Sequence, residues 1–191
     1  MHIPAGPADT AGARAYAGSM MEHSTVQILA VAQESWATAL LVAALLLCYA
    51  GFGYALSAAD IAGHRLPNRL VARWLLASVV ILALLGAVRM DFWPVLRALF
   101  GMALLCGGYL LVSLVSSGAM GMGDVKLASV LGLNLAYFSL PSLFLATLLA
   151  FVMAALFVLG GTILRRLTLK SAVPFGPFMI LGALIALGVA R

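Results

Sequence analysis

Charged residues are scarce in this chain, and their scarcity excludes an ordinary water-soluble domain. Only 9% of the 191 residues are Asp, Glu, Lys or Arg, while 64% are hydrophobic. In soluble domains, about a quarter of the residues are charged. So apolar a composition indicates a membrane protein.

Cysteine and histidine are also too few and too dispersed for a metal site. The two cysteines, Cys48 and Cys106, both fall in apolar stretches, and neither has a second cysteine at metal-ligand spacing. We interpret both as small packing residues. The three histidines are scattered along the chain. We therefore expect no zinc site and no cofactor.

After residue 36 the chain consists of apolar runs separated by short polar loops. Runs of about 20 apolar residues are long enough for a helix to cross the membrane, and they lack the alternating polarity of transmembrane strands. We therefore predict an all-α, polytopic membrane protein with about six transmembrane helices. The predicted spans are 37–57, 70–88, 94–115, 125–140, 142–164 and 172–190. A turn is predicted near Pro141, because the uncharged stretch around it is too long for one crossing.

Residues 1–36 differ in composition from the rest of the chain. They are rich in Ala, Gly and Ser, and they carry three acidic residues but only one Lys or Arg. This composition predicts a disordered or interfacial tail, followed by a transmembrane domain at 37–191. A signal peptide would have basic residues before its apolar core, so we interpret the first apolar run as a retained span.

The distribution of basic residues predicts the orientation of the spans. With six spans, the loops 58–69, 116–124 and 165–171 lie on one side, and both termini lie on the other. Seven Lys and Arg residues flank the first side and four flank the second. The positive-inside rule therefore places the three loops in the cytoplasm and the termini outside the cytoplasmic (inner) membrane. This arrangement accounts for the net charge of +5 without a nucleic-acid partner.

Only three acidic residues follow the tail, and two of them lie near predicted cytoplasmic helix ends. Asp91 falls in an outer loop and is most simply a solvated charge. Asp60 and Asp124 lie close to the hydrocarbon region, where an ionised carboxylate costs at least a few kcal/mol. Such a cost suggests a function.

Two interpretations of these aspartates remain open. In the first, each caps a helix or pairs with a base, Asp60 with Arg65 and Asp124 with Lys126. In the second, the two carboxyls meet and share one proton, because both cannot ionise cheaply at close range. The charged carboxylate would then take a proton from water while its partner polarises a peptide carbonyl, as in aspartic proteases.

Glycines surround the second aspartate in the stretch "GAMGMGDVKLA". Gly118, Gly121 and Gly123 remove side-chain bulk and would let an extended substrate backbone approach Asp124. The alternative is that these small residues serve close helix packing. For Lys126 we favour anchoring of the helix at lipid headgroups over tuning of the acid pair.

Three stretches resemble the type IV prepilin peptidases, which are membrane aspartyl proteases of the Gly-x-Gly-Asp type. "DIAGHRLPN" begins at Asp60 and is similar to their first acidic motif, and "GMGDVKLA" contains the Gly-x-Gly-Asp motif itself. "VPFGPFMILGA" is similar to the Pro-Phe-Gly-Pro segment that opens their last helix. The three matches occur in the family's order between residues 60 and 183.

This resemblance implies an aspartic endopeptidase that removes the short basic leader of prepilin-like proteins at the cytoplasmic face, usually just after a glycine. It assigns Asp60 and Asp124 as the catalytic pair. It implies that Gly121 and Gly123 shape the loop around the second acid. Together with these two glycines, Lys126, Pro67 and Asn68 are predicted to bind substrate or to shape the loop. The implied partners are prepilin-like substrates and the lipid bilayer.

The chain lacks one part of the larger members of this family. Those members carry a long cytoplasmic insertion with paired cysteines between the first two spans, whereas this chain has about a dozen residues there and no cysteine. The resemblance therefore does not extend to N-methylation of the product. The chain resembles the compact, peptidase-only type associated with tight-adherence pili or with archaeal flagellin and pilin processing.

Two other functions account for parts of the sequence less well. A small proton- or cation-coupled transporter subunit would also carry carboxylates within the membrane, but the spans show no obvious inverted repeat and the acids lie near one face. An inert assembly factor would have no need of both aspartates.

Overall fold

The computed structural model describes residues 24–63, 66–115, 120–164 and 174–189, and within these ranges it contains helices and no strand. The helices are α1 (Ser24–Glu34), α2 (Trp36–Gly63), α3 (Asn68–Arg89), α4 (Trp93–Val115), α5 (Met122–Phe138), α6 (Pro141–Ile163) and α7 (Gly176–Val189). This architecture confirms the predicted all-α fold.

Four of the helices, α2, α3, α4 and α6, are long and apolar enough to cross a membrane. They correspond to the first, second, third and fifth predicted spans. The other two predicted spans correspond to shorter helices, with 17 residues in α5 and 14 in α7. The chain is therefore a multi-pass membrane protein.

Helix α5 lies at the centre of the bundle. It contacts α1, α3, α4, α6 and α7, and 12 of its 17 residues are buried. Its closest neighbour is α4, where a Cβ atom placed on Gly132 would lie 2.5 Å from the carbonyl oxygen of Gly101. Glycine is needed there because the two backbones touch. The Asn134 amide donates to Ser78 Oγ at 3.0 Å and joins α5 to α3.

A sharp break separates α5 from α6 at the predicted turn. Helix α5 ends at Phe138 and α6 begins at Pro141, a position where proline's missing N–H leaves no helical hydrogen bond unmade. Arg97 of α4 donates to the carbonyl oxygens of Ala136 at 2.8 Å, of Phe138 at 3.2 Å and of Tyr137. This guanidinium satisfies the end of α5, whose last carbonyls have no partner within the helix.

Two of the helix boundaries that differ from the predicted spans determine where the aspartates lie. Helix α2 continues to Gly63, so Asp60 lies inside a helix, and α5 begins at Met122, so Asp124 lies in its first turn. The difference arises because span prediction counts apolar residues, whereas backbone hydrogen bonding continues past the apolar run. In the predicted tail, residues 1–23 lie outside the described ranges. Its last part forms α1, which packs against α2 and α7.

The end of the bundle opposite to Asp60 and Asp124 carries its own polar groups. Arg89 donates two hydrogen bonds of 2.8 Å to the carboxylate of Glu34. This ion pair lowers the pKa of Glu34, mainly through the hydrogen bonds. Asp91 is exposed nearby and accepts a hydrogen bond from the Trp93 amide at 3.0 Å. Asp91 therefore caps α4 and lies outside the candidate site.

Candidate functional site

Asp60 and Asp124 line the same cavity at one end of the bundle. The cavity has a volume of about 370 Å³. Helix α2 supplies Asp60, and α5 supplies Asp124. The other lining residues are Leu66, Asn68, Gly121, Met122, Gly123 and Lys126. The structure thus brings together both predicted aspartates and four of the five residues predicted to bind substrate or shape the loop.

Asp60 is almost completely buried in the last turn of α2, with 5% of its surface exposed. Its Oδ2 atom accepts a hydrogen bond of 2.9 Å from the backbone N–H of Gly176, the first residue of α7. A Cβ atom placed on Gly176 would lie 2.9 Å from the same oxygen. Glycine is therefore the residue that lets this amide approach the carboxylate.

Asp124 lies in the first turn of α5, before the apolar part of that helix. Its backbone N–H donates to the carbonyl oxygen of Gly121 at 3.0 Å. Burial raises the pKa of the Asp124 carboxyl, and the nearby charge of Asp60 raises it further, while a backbone hydrogen bond from Gly121 acts in the opposite direction. The charge of Asp60 is thus close enough to act on the Asp124 carboxyl.

The glycines beside Asp124 have different roles. A Cβ atom on Gly123 would lie 3.0 Å from the Cβ of Leu66, so this glycine lets the segment before α3 close over the start of α5. A Cβ atom on Gly121 would meet Asp124 Oδ2 at 3.5 Å, an ordinary contact. Gly121 therefore contributes its backbone more than its small size. Gly118 lies outside the described residues.

Lys126 pairs with Asn68, and the predicted alternative of an ion pair with Asp124 is not what the structure contains. The Lys126 ammonium donates to Asn68 Oδ1 at 3.0 Å, and both side chains are exposed.

Pro67 precedes α3, and its carbonyl oxygen accepts from the amides of Leu70 at 2.9 Å and Val71 at 3.2 Å. Pro67 therefore starts a helix. Arg65, the alternative partner of Asp60, lies outside the described residues.

No role for Gly176 was predicted from the sequence, although this glycine lies in the Pro-Phe-Gly-Pro segment. The neighbouring Phe175 packs against Phe151, with ring centroids 5.1 Å apart, and against Tyr109 at 6.4 Å. This cluster holds the segment beside the cavity. In the sequence, Gly176 could be noticed only as a glycine in a segment with two prolines. Its hydrogen bond to Asp60 joins positions 116 residues apart, and no local sequence pattern predicts such a contact.

The described residues contain no group of three His, Cys, Asp or Glu side chains that could hold a metal ion. The cavity instead offers two carboxyls in unlike surroundings, with space beside them. Such a pair can hold one proton and exchange it with a bound water or a substrate carbonyl. This is the chemistry of acid and base catalysis.

Comparison with known proteins identifies the family. The sequence profile described as the type IV leader peptidase family matches residues 47–159, a range that contains both Asp60 and Asp124. No curated protein and no solved structure matches the chain. Because the profile covers more than half of the sequence, this multi-pass membrane protein belongs to the type IV leader peptidase family and is a leader-peptidase-like protease.

Proposed function

We propose that this protease removes the basic leader of prepilin-like proteins by using Asp60, Asp124 and a water molecule. The observation that carries the proposal is that the two carboxyls, from different helices, line one cavity at the end of the bundle. The third acidic residue after α1, Asp91, is exposed at the opposite end and has a capping role.

The reaction needs one charged and one protonated carboxyl. The charged carboxylate takes a proton from water as the water oxygen attacks the peptide carbonyl carbon, and the other carboxyl gives its proton to the carbonyl oxygen. The resulting tetrahedral intermediate breaks its C–N bond. The first carboxyl then returns the proton to the departing amine, and the second recovers its own proton from the diol. Neither a metal nor a covalent intermediate enters this scheme.

The cavity is suited to an extended peptide segment. Its volume of about 370 Å³ lies at the small end of the range found for ligand pockets. Gly121 and Gly123 form part of its wall and present backbone in place of side chains. The carboxylate charge attracts a basic leader, and the neighbouring Lys126 is directed to Asn68.

The excess of basic residues at the loops on this side supports a cytoplasmic position for the cavity, in an inner-membrane protein with external termini. A leader that has not crossed the membrane would reach Asp60 and Asp124 from that side.

The experiment is coexpression with a candidate prepilin, followed by intact mass measurement and N-terminal sequencing of the product. The proposal requires shortening of the prepilin by the wild-type protein and by Asp91→Asn, and loss of that shortening in Asp60→Asn and Asp124→Asn. Processing that survives either of the last two substitutions would overturn the mechanism. The same sequencing identifies the cleaved bond and any methylation.

A further inference from the structure

The first backbone amide of α7 is bonded to one of the two candidate catalytic carboxyls. Gly176 N–H donates to Asp60 Oδ2 at 2.9 Å in a buried environment. A hydrogen bond from an N–H group to a carboxylate favours its ionised form. The amino end of a helix adds partial positive charge in the same place. Asp60 therefore has a built stabiliser for negative charge, supplied by a helix other than its own.

The surroundings of Asp124 favour its protonated form. This carboxyl is largely enclosed, faces the charge of Asp60, and has a raised pKa in spite of the opposing hydrogen bond from Gly121. The ammonium group of Lys126, which lines the same cavity, is engaged with Asn68.

We propose that Gly176 is a positioning residue that locates the single negative charge of the pair on Asp60. Asp60 is then the group that takes the proton from water, and Asp124 is the group that protonates the peptide carbonyl. This inference rests on the proposed function, in which the two acids cleave a peptide bond.

The sequence around Gly176 suits this task. A Cβ atom at position 176 would lie 2.9 Å from Asp60 Oδ2 and 3.4 Å from Leu66 Cδ2, so a larger residue displaces the carboxylate. Pro177 has no N–H, so Gly176 is the only amide donor within the first two positions of α7. The ring contacts of Phe175 with Phe151 and Tyr109 fix the segment in place.

Several groups bear on the pH dependence of the pair. In the described part of the chain, α5 presents Asp124 and Lys126 to the cavity and α3 presents Asn68. Tyr109 of α4 lies within electrostatic reach of Asp124. Helix α7 contributes the Gly176 amide. Of these groups, only the Gly176 amide donates a hydrogen bond to Asp60. Loss of this hydrogen bond should therefore affect the Asp60 carboxyl first.

The test is the pH profile of prepilin cleavage by Gly176→Ala, with Gly188→Ala as the matched control. Both glycines lie in α7, but a Cβ atom at position 188 meets nothing within 4 Å. We expect Gly176→Ala to lower the rate and to move the acid limb upward by about one pH unit, since a hydrogen bond to a charged group is lost. The alkaline limb should stay in place, because Asp60 is charged on both sides of that step. Gly188→Ala should match the wild type.

Each other outcome of this measurement is decisive. If the alkaline limb moves and the acid limb does not, Asp60 holds the proton and the assignment is reversed. If the rate falls with neither limb moved, Gly176 has only a packing role. Either result overturns the inference while leaving peptide cleavage by the two acids intact. If Asp60→Asn or Asp124→Asn still cleaves the prepilin, the proposed function itself is overturned.

A second measurement uses the wild-type protein and does not depend on folding of the variant. An epoxide is opened by attack of an ionised carboxylate, which forms an ester while the epoxide oxygen takes a proton from water. We expect glycidol to esterify Asp60 several-fold faster than Asp124, as measured by peptide mass spectrometry over time. Equal rates, or a faster reaction at Asp124, would overturn the location of the charge.

Discussion

The ammonium of Lys126 donates to the side-chain oxygen of Asn68 at 3.0 Å and links the beginning of α5 to the first residue of α3. Both residues line the cavity that contains Asp60 and Asp124. The interpretation of Lys126 as a headgroup anchor stays a prediction. In the structure its hydrogen-bond partner is Asn68, another of the residues predicted to bind substrate or shape the loop.

Because this link joins two walls of the cavity, its loss should loosen substrate binding more than it slows the chemical step. We expect Lys126→Met and Asn68→Ala each to raise KM by roughly twofold to tenfold with a smaller change in kcat. The double substitution should resemble either single one, because both remove the same hydrogen bond. Steady-state kinetics on a prepilin peptide in detergent give the KM and kcat of each variant. Arg69→Met, which removes an exposed cation outside the cavity, is the control. Additive effects would contradict the prediction.

Substitution of both aspartates should cost no more than substitution of one. Asp60→Asn and Asp124→Asn are each expected to lower kcat by about a thousandfold or more, since each removes a group required in the same proton transfers. The double substitution should be equally slow. Single-turnover cleavage in detergent measures all three rates. If the rate of the double variant fell by the product of the two single fold-losses, the acids would act independently.

The pH profile of cleavage by the wild-type protein should be bell-shaped. Activity requires one proton on the pair, so it is lost in acid when both carboxyls are protonated and in alkali when both are ionised. The raised pKa of Asp124 means that the alkaline loss begins above the pH at which an ordinary aspartate ionises. Initial rates across a pH series measure both limbs. A profile that is flat on both sides of its optimum would contradict a shared proton.

Removal of the Asp124 charge should stabilise the folded protein at neutral pH. Because its folded-state pKa is raised above the unfolded value, the wild-type protein loses stability as pH rises through these two values. Asp124→Asn lacks this loss. We expect its Tm in detergent to exceed that of the wild type in neutral buffer, and the difference to vanish in acid. An equal difference at both pH values would indicate that ionisation is not the cause.

Close packing between α4 and α5 should tolerate no added carbon. A Cβ atom on Gly101 would lie 2.1 Å from the Cβ of Ala136, so Gly101→Ala must force the helices apart. We expect the free energy of unfolding to fall by about 1–3 kcal/mol, as measured by thermal or denaturant unfolding in detergent. Gly107→Ala in the same helix meets nothing within 4 Å and should not destabilise the protein. Equal stability of the two variants would contradict the packing argument.

The helical fold could be predicted because apolar runs and the loops between them are local features. The break before Pro141 followed from the length of an uncharged stretch, and it is present in the structure. The central position of α5 could not be predicted, since lipid-facing and buried helices in a membrane protein are equally apolar. Its 12 buried residues look like those of any span.

The candidate site was predictable in part for similar reasons. The scarcity of acidic residues singled out Asp60 and Asp124, and the order of the spans placed both at the same end. The hydrogen bond from Gly176 joins positions 116 residues apart, and the link between Lys126 and Asn68 depends on the relative height of two helices. Neither contact leaves a periodic or compositional signal in the sequence.

The 17 residues of α5 rise about 26 Å, which is less than the roughly 30 Å of hydrocarbon in a bilayer. Asp124 lies in the first turn of this short helix, whereas the four helices long enough to cross a membrane have 22 to 28 residues. An extended peptide segment is a suitable occupant for a cavity of about 370 Å³. A cavity of this size favours extended segments close to the membrane over folded domains as substrates of the proposed reaction.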